Sequence, residues 1–219
     1  MVDGRWLVAA SRSAHGEANG RLYGLDGKLS GAIALGDGIS HIRCAPDGTI
    51  WVGHFDEGIC SVLNTDGGWP ISTGGIVRFA PDGIALWSLN TDNQRDLFII
   101  DCYALTLNAN TPWACCYPEF PIIRVKADVI RQWSNPCKGA RALAVEGECI
   151  LLAGGYDAAS ERIALLRLGE SEACQIGELK LQRLRTADHV QGQGGELHIV
   201  GDNRWTRVNV ADVRAIIGA

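Results

Sequence analysis

The sequence lacks the motifs that would assign a function directly. Its 219 residues contain no CxxC pair and no H-x-x-x-H pair, so a finger-like zinc site is not predicted. The patterns GxSxG and HExxH, the phosphate-binding P-loop and the dinucleotide-binding glycine fingerprint are absent as well. No apolar run approaches the roughly 18 residues of a membrane-spanning helix, and no signal-peptide-like leader follows Met1. We therefore expect no membrane association and no standard catalytic motif.

The sequence has no excess of positive charge and too few cysteines for a disulfide-rich scaffold. Twenty Lys and Arg against 25 Asp and Glu leave a formal net charge of −5, which predicts no nucleic-acid partner. Eight cysteines are too few for a small disulfide scaffold, and several alternate within apolar stretches, where a free thiol behaves as a small buried apolar group. We expect reduced core thiols in a cytoplasmic protein.

The sequence does contain a repeat. A turn followed by an apolar strand recurs as VDGRWLVAAS, APDGTIWVGH, VEGECILLAG and QGGELHIVGD. A second unit, a strand running into an acidic turn, occurs five times, and its turns lie near Asp26, Asp82, Asp128, Glu170 and Asp212. Successive turns are 42 to 56 residues apart, close to the ~40–50 residues of a four-stranded propeller blade. The similarity of VKADVIRQW to NVADVRAII also suggests duplication.

This repeat predicts an all-β fold, a single β-propeller domain over residues 1–219 with five blades of four antiparallel strands. The first blade lacks its innermost strand at the N-terminus, so nineteen strands are expected, the last being Arg214–Gly218. Either residues 214–219 close the ring there, or the native chain begins further upstream. Among the predicted strands are Ile122–Lys126, Val129–Trp133, His189–Gln193 and Glu196–Gly201.

Two sets of segments resemble known propellers. Residues 45–58, APDGTIWVGHFDEG, are similar to the strand–PDG–strand repeat of the NHL, gluconolactonase and virginiamycin B lyase propellers. The segments GDGI (36–39), FDEG (55–58), DCYAL (101–105) and ARALAV (140–145) resemble an uncharacterised group of bacterial propeller-like proteins. Both resemblances imply a β-propeller architecture. The lyase and lactonase families hold a metal or a histidine base over the channel, but no set of ligands here maps onto theirs, so their chemistry is not transferred.

The first candidate site is the longest insertion between two predicted strands, His54–Gly74. Its 21 residues make a long loop, and loops of that length are usually functional or disordered. Asp56 and Glu57 could ligate a divalent cation such as calcium, and His54 could act as a base. Alternatively, the acidic pair forms a solvated turn and Trp69 packs the loop onto its blade.

The second candidate site is the set of polar and ionisable side chains around the predicted inner strands. Along the chain these are Asp37, His41, Asp101, Tyr103, Arg141, Asp188 and His189. Equivalent positions of several blades converge on the propeller axis, which predicts a small-ligand or cation site at the channel mouth. The alternative is a water-filled channel in which aspartates bond to the backbone.

Five tryptophans fall at comparable points of successive blades: Trp51, Trp87, Trp113, Trp133 and Trp205. A platform for sugar is conceivable, but tryptophans in such positions more often fill the space between blades. We predict that all five belong to the core.

Together these features predict a binding scaffold for a small molecule or a partner protein at the loop-rich channel mouth. The alternative is a metal-dependent lyase or hydrolase of the gluconolactonase or virginiamycin B lyase type, which needs three or more carboxylates or imidazoles around one metal. A third hypothesis is a structural platform that docks proteins through blade edges, which predicts a large exposed apolar patch. The oligomeric state is left open.

Overall fold

The computed structural model describes residues 1, 3–61, 67–92, 97–156, 160–181, 189–201 and 203–218. Within them, eighteen strands form five antiparallel sheets of three or four strands, and in each sheet strands that follow one another in sequence are neighbours. The chain divides into two compact units, Met1–Cys102 and Tyr103–Ala219. Of the helices in this described part, none is long and apolar enough to cross a membrane.

The first unit contains two sheets. The first sheet consists of β1 (Trp6–Ala9), β2 (Gly20–Tyr23) and β3 (Leu29–Ile33). The second sheet consists of β4 (Ile39–Cys44), β5 (Ile50–His54), β6 (Ile76–Phe79) and β7 (Ala85–Ser88). Short helices α1 (Asp56–Ile59) and α2 (Leu89–Asp92) and a 3₁₀ turn (Ile71–Gly74) connect them. The first sheet thus has three strands, as the prediction for the first blade requires.

The second unit contains the other three sheets, apart from the first two residues of β8. The third sheet consists of β8 (Asp101–Asn108), β9 (Thr111–Tyr117), β10 (Ile122–Lys126) and β11 (Val129–Trp133). The fourth consists of β12 (Ala142–Glu146), β13 (Cys149–Ala153), β14 (Arg162–Leu168) and β15 (Ala173–Lys180). The fifth consists of β16 (His189–Gln193), β17 (Glu196–Gly201) and β18 (Arg204–Asn209), followed by helix α3 (Val210–Ile217). The predicted bounds of β10, β11, β16 and β17 are confirmed.

Strand β13 shows how these sheets pack. All five of its residues are buried. Ile150 and Leu152 belong to a core cluster shared with the third sheet, whereas Leu151 belongs to another cluster shared with the fifth sheet and α3. Successive side chains of a strand point to opposite faces. The fourth sheet is therefore covered on both faces, which explains its continuous apolar run in place of an apolar–polar alternation.

The last predicted strand, Arg214–Gly218, is wrong: these residues belong to α3 and its C-terminal cap. The side chain of Asn209 accepts a hydrogen bond from the Asp212 N–H at 2.8 Å, and the Asp212 carboxylate accepts one from the Asn209 N–H. Residues Val210 and Val213 pack on the core of the fifth sheet. This reciprocal cap starts the helix and places its apolar side chains on one face.

The similar segment VKADVIRQW forms a strand, a tight turn and a second strand instead. Ala127 and Asp128 have φ angles of 48° and 62° and connect β10 to β11. In the alignment of the two segments, Val125 stands where Asn209 caps the helix, and valine has no side-chain acceptor. The same Ala-Asp-Val tripeptide thus adopts two conformations because only one copy has a capping residue.

Four of the five tryptophans are buried, and in two sheets they pack with an arginine. The Arg78 guanidinium lies 5.5 Å from the Trp51 ring. In the third sheet, Arg124 lies 5.5 Å from the Trp113 ring and 5.6 Å from the Trp133 ring. Both arginines occupy the third strand of their sheet, so the repeat extends to side-chain packing.

The prediction for the fifth tryptophan is wrong, because Trp205 is 68% exposed. It lies on β18, in the sheet where α3 takes the place of a fourth strand. Its indole stacks on the ring of His198 at 5.8 Å and lies near the Arg207 guanidinium.

Replacing Arg124 with alanine should lower the free energy of unfolding by about 1 to 2 kcal/mol, because the change removes a guanidinium from two indole rings and uncovers their faces. Urea unfolding followed by tryptophan fluorescence measures this. Arg167→Ala is the matched control: Arg167 is an exposed residue on the third strand of the fourth sheet. We expect that variant to lose less than about 0.5 kcal/mol. An equal loss of unfolding free energy in both variants would contradict a specific stabilising contact between Arg124 and the two tryptophans.

Candidate functional site

The loops of the first unit enclose a cavity of about 870 Å³, here called the first cavity. It is lined by Ser13, Ala14, His15, Gly16, Glu17, Ala34, Gly36, Asp37, Cys60, Ser61, Trp69, Pro70, Ile71, Phe79, Gly83 and Ala85. A second cavity of about 690 Å³ shares the wall Trp69–Ile71 and is also lined by Ile59, Thr73, Gly74, Ser88, Asn90, Thr91 and Phe98. The predicted insertion His54–Gly74 therefore contributes to both cavities.

The insertion is less irregular than predicted. It begins with the single helical turn α1 and ends with a 3₁₀ turn, and residues 62–66 lie outside the described part of the chain. The indole of Trp69 does not pack the loop onto a sheet, since Trp69 is 67% exposed. It lines the two cavities instead.

The segment between β1 and β2 is held in place by Arg12. Its guanidinium donates two hydrogen bonds to the Asp37 carboxylate, at 3.0 and 3.1 Å, and a further one to the Glu57 carboxylate. The backbone N–H of Ser13 donates to Asp37 at 2.8 Å. Two of the sequence-predicted acidic residues, Asp37 and Glu57, are thus brought together by an arginine from a third segment. A forked arginine contact of this kind fixes geometry as well as charge.

The ion pairs also set the charge state of Asp37. Partial burial by itself would raise the pKa of this carboxyl, but hydrogen bonds from Arg12 and from the backbone N–H groups of Ser13 and Gly38 outweigh that effect. The pKa of Asp37 is therefore lowered. Asp37 remains ionised at the edge of the first cavity over the physiological pH range.

Helix α1 approaches the turn at Asp37 very closely. A Cβ added to Gly58 would lie 2.3 Å from the Asp37 carbonyl oxygen, closer than any real side chain can come. Gly58 therefore allows α1 to lie directly on this turn. The contact brings Asp56 and Glu57, in the first turn of α1, beside the Asp37 segment.

His54 is buried rather than exposed at the cavity. One ring nitrogen lies 2.9 Å from the Leu35 carbonyl oxygen and the other 3.2 Å from the Gly75 carbonyl oxygen. Burial lowers the pKa of His54, more than the two carbonyl contacts raise it. These contacts make His54 a structural link between the two chain segments, because both ring nitrogens face backbone carbonyl oxygens.

The side chains of His41 and Cys102 approach Gly53 in β5. A Cβ on Gly53 would lie 2.6 Å from the Cys102 sulfur and 3.6 Å from the Cβ of His41. Asp101, next to Cys102 at the start of β8, is half-buried. Its burial, together with the nearby Asp56 charge, raises the pKa of Asp101 to about 6. His41 and the segment that carries Asp101 thus both approach β5.

The remaining predicted residues lie in the second unit. Tyr103 belongs to an aromatic cluster described below, and the Arg141 side chain packs against Gly154. His189 begins β16 and is exposed. Asp188 lies outside the described residues.

Sequence reasoning missed Arg12, His15 and Glu17. The signal that could have found them is the polar segment SRSAHGEANG, residues 11–20, which follows β1. A polar insertion of that length between two short strands has the same loop character as the His54–Gly74 insertion.

Within the described ranges, no group of three or more His, Cys, Asp or Glu side chains has the geometry to hold a metal ion. All eight cysteines are free thiols; five of them are buried, as predicted for core thiols, whereas Cys44, Cys60 and Cys174 are exposed. Cys115 and Cys116 are both buried because both faces of β9 are covered.

No protein-family model matches the chain, and no curated protein matches it. The structure is similar to that of a protein of unknown function from Bacteroides caccae, with a TM-score of 0.55 and 12% identity; the alignment covers 95% of this chain and 74% of that one. The extracellular domain of the one component system BT4673 from B. thetaiotaomicron gives a TM-score of 0.50 and 14% identity, covering 95% of this chain and 26% of that one.

AztD from Citrobacter koseri gives a TM-score of 0.48 and 11% identity, with 96% of this chain and 55% of that one covered. The chain thus spans about half the length of AztD and about a quarter of the BT4673 domain. At these identities the likeness to the Bacteroides caccae protein shows an all-β, multi-sheet fold and nothing about function.

Replacing Asp101 with asparagine should increase stability at neutral pH and change it little near pH 4. The folded state holds this proton more tightly than the unfolded chain, whose aspartates titrate near 4. The stability supplied by the protonated form is therefore complete below about pH 4 and is lost as the pH rises to about 6. Urea unfolding across that range measures the effect.

The exposed carboxylate Glu172 provides the control for this pH dependence. Glu172→Gln should keep the wild-type slope between pH 4 and pH 6, whereas Asp101→Asn should flatten it. The interpretation fails when Asp101→Asn and the wild type have parallel stability curves.

Proposed function

We propose that this protein is a five-bladed β-propeller that acts as a binding scaffold for a small organic molecule in the first cavity. Two features support the propeller: each sheet is a meander of consecutive strands, and β13 serves two separate cores. The eight free thiols are compatible with a reducing compartment such as the cytoplasm.

The observation that carries the binding function is the first cavity with Trp69 at its wall. A volume of about 870 Å³ falls in the range of small-molecule sites. An exposed indole on a loop offers a flat apolar face to a ligand and an N–H donor at its rim. The cavity has a mostly apolar lining with a few polar groups, the usual composition of such sites.

The charges around the first cavity define the class of ligand. The described lining residues include the carboxylates Glu17 and Asp37 but no lysine or arginine. The neighbouring guanidinium of Arg12 is already bonded to two carboxylates. The site therefore favours a ligand with an apolar body and a neutral or cationic head, and disfavours anions.

Three probes with the same naphthyl body test this selectivity: naphthylmethylamine, naphthalenemethanol and naphthoate. We expect the amine and the alcohol to bind at least about tenfold more tightly than the carboxylate, because the latter meets two like charges. Ligand-observed NMR titration of the purified chain measures the three dissociation constants.

Two variants of the cavity and one control locate the binding. Ser61→Trp fills the cavity and Trp69→Ala removes its aromatic wall, and both should weaken binding of the amine at least about tenfold. Trp205→Ala removes an equally exposed indole from the second unit and should leave binding unchanged. Binding that survives Ser61→Trp, or that is strongest for naphthoate, would contradict the proposal.

A further inference from the structure

Three of the four tyrosines of the chain lie in one cluster on the second unit. Tyr103 is on β8, Tyr117 ends β9, and Tyr156 follows β13. The ring of Phe120 lies among them. These four side chains, called the tyrosine cluster below, come from three separate segments, so the fold brings them together.

The rings of the tyrosine cluster form a corner. Tyr103 and Tyr117 lie nearly parallel, with an interplanar angle of 27° and centroids 6.5 Å apart. The ring of Tyr156 is almost perpendicular to that of Tyr103, at 80° and 6.2 Å. Phe120 meets Tyr103 edge to face at 4.9 Å. Edge-to-face contacts fix the ring orientations, so the corner is preorganised.

The tyrosine cluster is exposed, unlike the aromatic pairs of the core. Tyr117 is 41% exposed and Tyr156 47% exposed, whereas Phe120 beneath them is buried. Trp113 and Trp133, in the same sheet as Tyr117, are both buried. Phe120 and the two tryptophans fill the core of this unit. Core packing therefore does not account for the rings of Tyr117 and Tyr156, which face solvent.

The polar groups of the tyrosine cluster are the hydroxyls of its three tyrosines. The Tyr156 hydroxyl donates to the Tyr103 hydroxyl at 2.9 Å. The ammonium group of Lys138 lies 5.8 Å from the Phe120 centroid, is bonded to the Glu119 carbonyl oxygen and lies 3.7 Å from the Glu119 carboxylate. Its charge is thus compensated locally. The exposed surface combines aromatic faces with a pair of bonded hydroxyls.

We propose that the tyrosine cluster is a binding site for neutral carbohydrate. A pyranose ring has an apolar face of C–H groups, which stacks on an exposed phenol ring, and equatorial hydroxyls, which exchange hydrogen bonds with a phenol pair. The rigid corner matches a ligand that offers one flat face and one polar edge. This site is separate from the first cavity and does not depend on the function proposed for it.

Saturation-transfer NMR with cellohexaose, maltohexaose and mannohexaose tests the proposal on the full chain. We expect at least one of the three to bind, with affinity at least about tenfold weaker in Tyr117→Ala and in Tyr156→Ala, the loss expected for one aromatic contact. Tyr156→Phe keeps the ring and removes the hydroxyl, so a loss of about three- to tenfold is expected. Because it keeps the aromatic ring, Tyr156→Phe still tests the proposal if either alanine variant fails to fold.

Trp205→Ala is the matched control, because it removes an exposed aromatic ring from the same unit outside the cluster. It should bind the oligosaccharide as the wild type does. The proposal is overturned if none of the three oligosaccharides binds at millimolar concentration. It is also overturned if the tyrosine variants bind as well as the wild type, or if a proline-rich peptide binds the cluster and the sugars do not.

Discussion

The covering of sheets on both faces is the constraint on which the rest of this structure depends. Strand β13 contributes Ile150 and Leu152 to one core and Leu151 to another, and β5 is buried along its whole length. A sheet with two apolar faces is stable only when a neighbour covers each of them. Packing of this kind leaves the connecting loops as the parts of each unit that are free to form binding surfaces.

In the first unit, hydrogen bonds and ion pairs between side chains and neighbouring segments hold these loops in place. Arg12 joins Asp37 and Glu57, and the buried ring of His54 links Leu35 to Gly75. The consequence is a cavity whose walls come from several segments but whose shape is defined before any ligand arrives. A preformed site loses less conformational entropy on binding than loops that must first become ordered.

The sequence predicted the strands well because turn residues and apolar runs are local signals, as in the pair β10 and β11 around Ala127 and Asp128. It failed at α3, where a reciprocal cap between Asn209 and Asp212 outweighs the similarity to a strand pair. It placed Asp37 and Glu57 in two different candidate sites and missed Arg12, which joins them, because an ion pair between distant segments leaves no local pattern. Burial of His54 and exposure of Trp205 could not be predicted either, since both depend on which element packs against the strand.

The most direct test of the account is the location of a bound probe. Backbone amide shifts of the isotope-labelled chain, recorded during titration with naphthylmethylamine, report which residues contact it. The account predicts that the largest changes fall on Ser13, Gly16 and Ser61 and on the indole N–H of Trp69, with β12–β15 unaffected. Changes centred on the second unit, or spread evenly over both units, would contradict it.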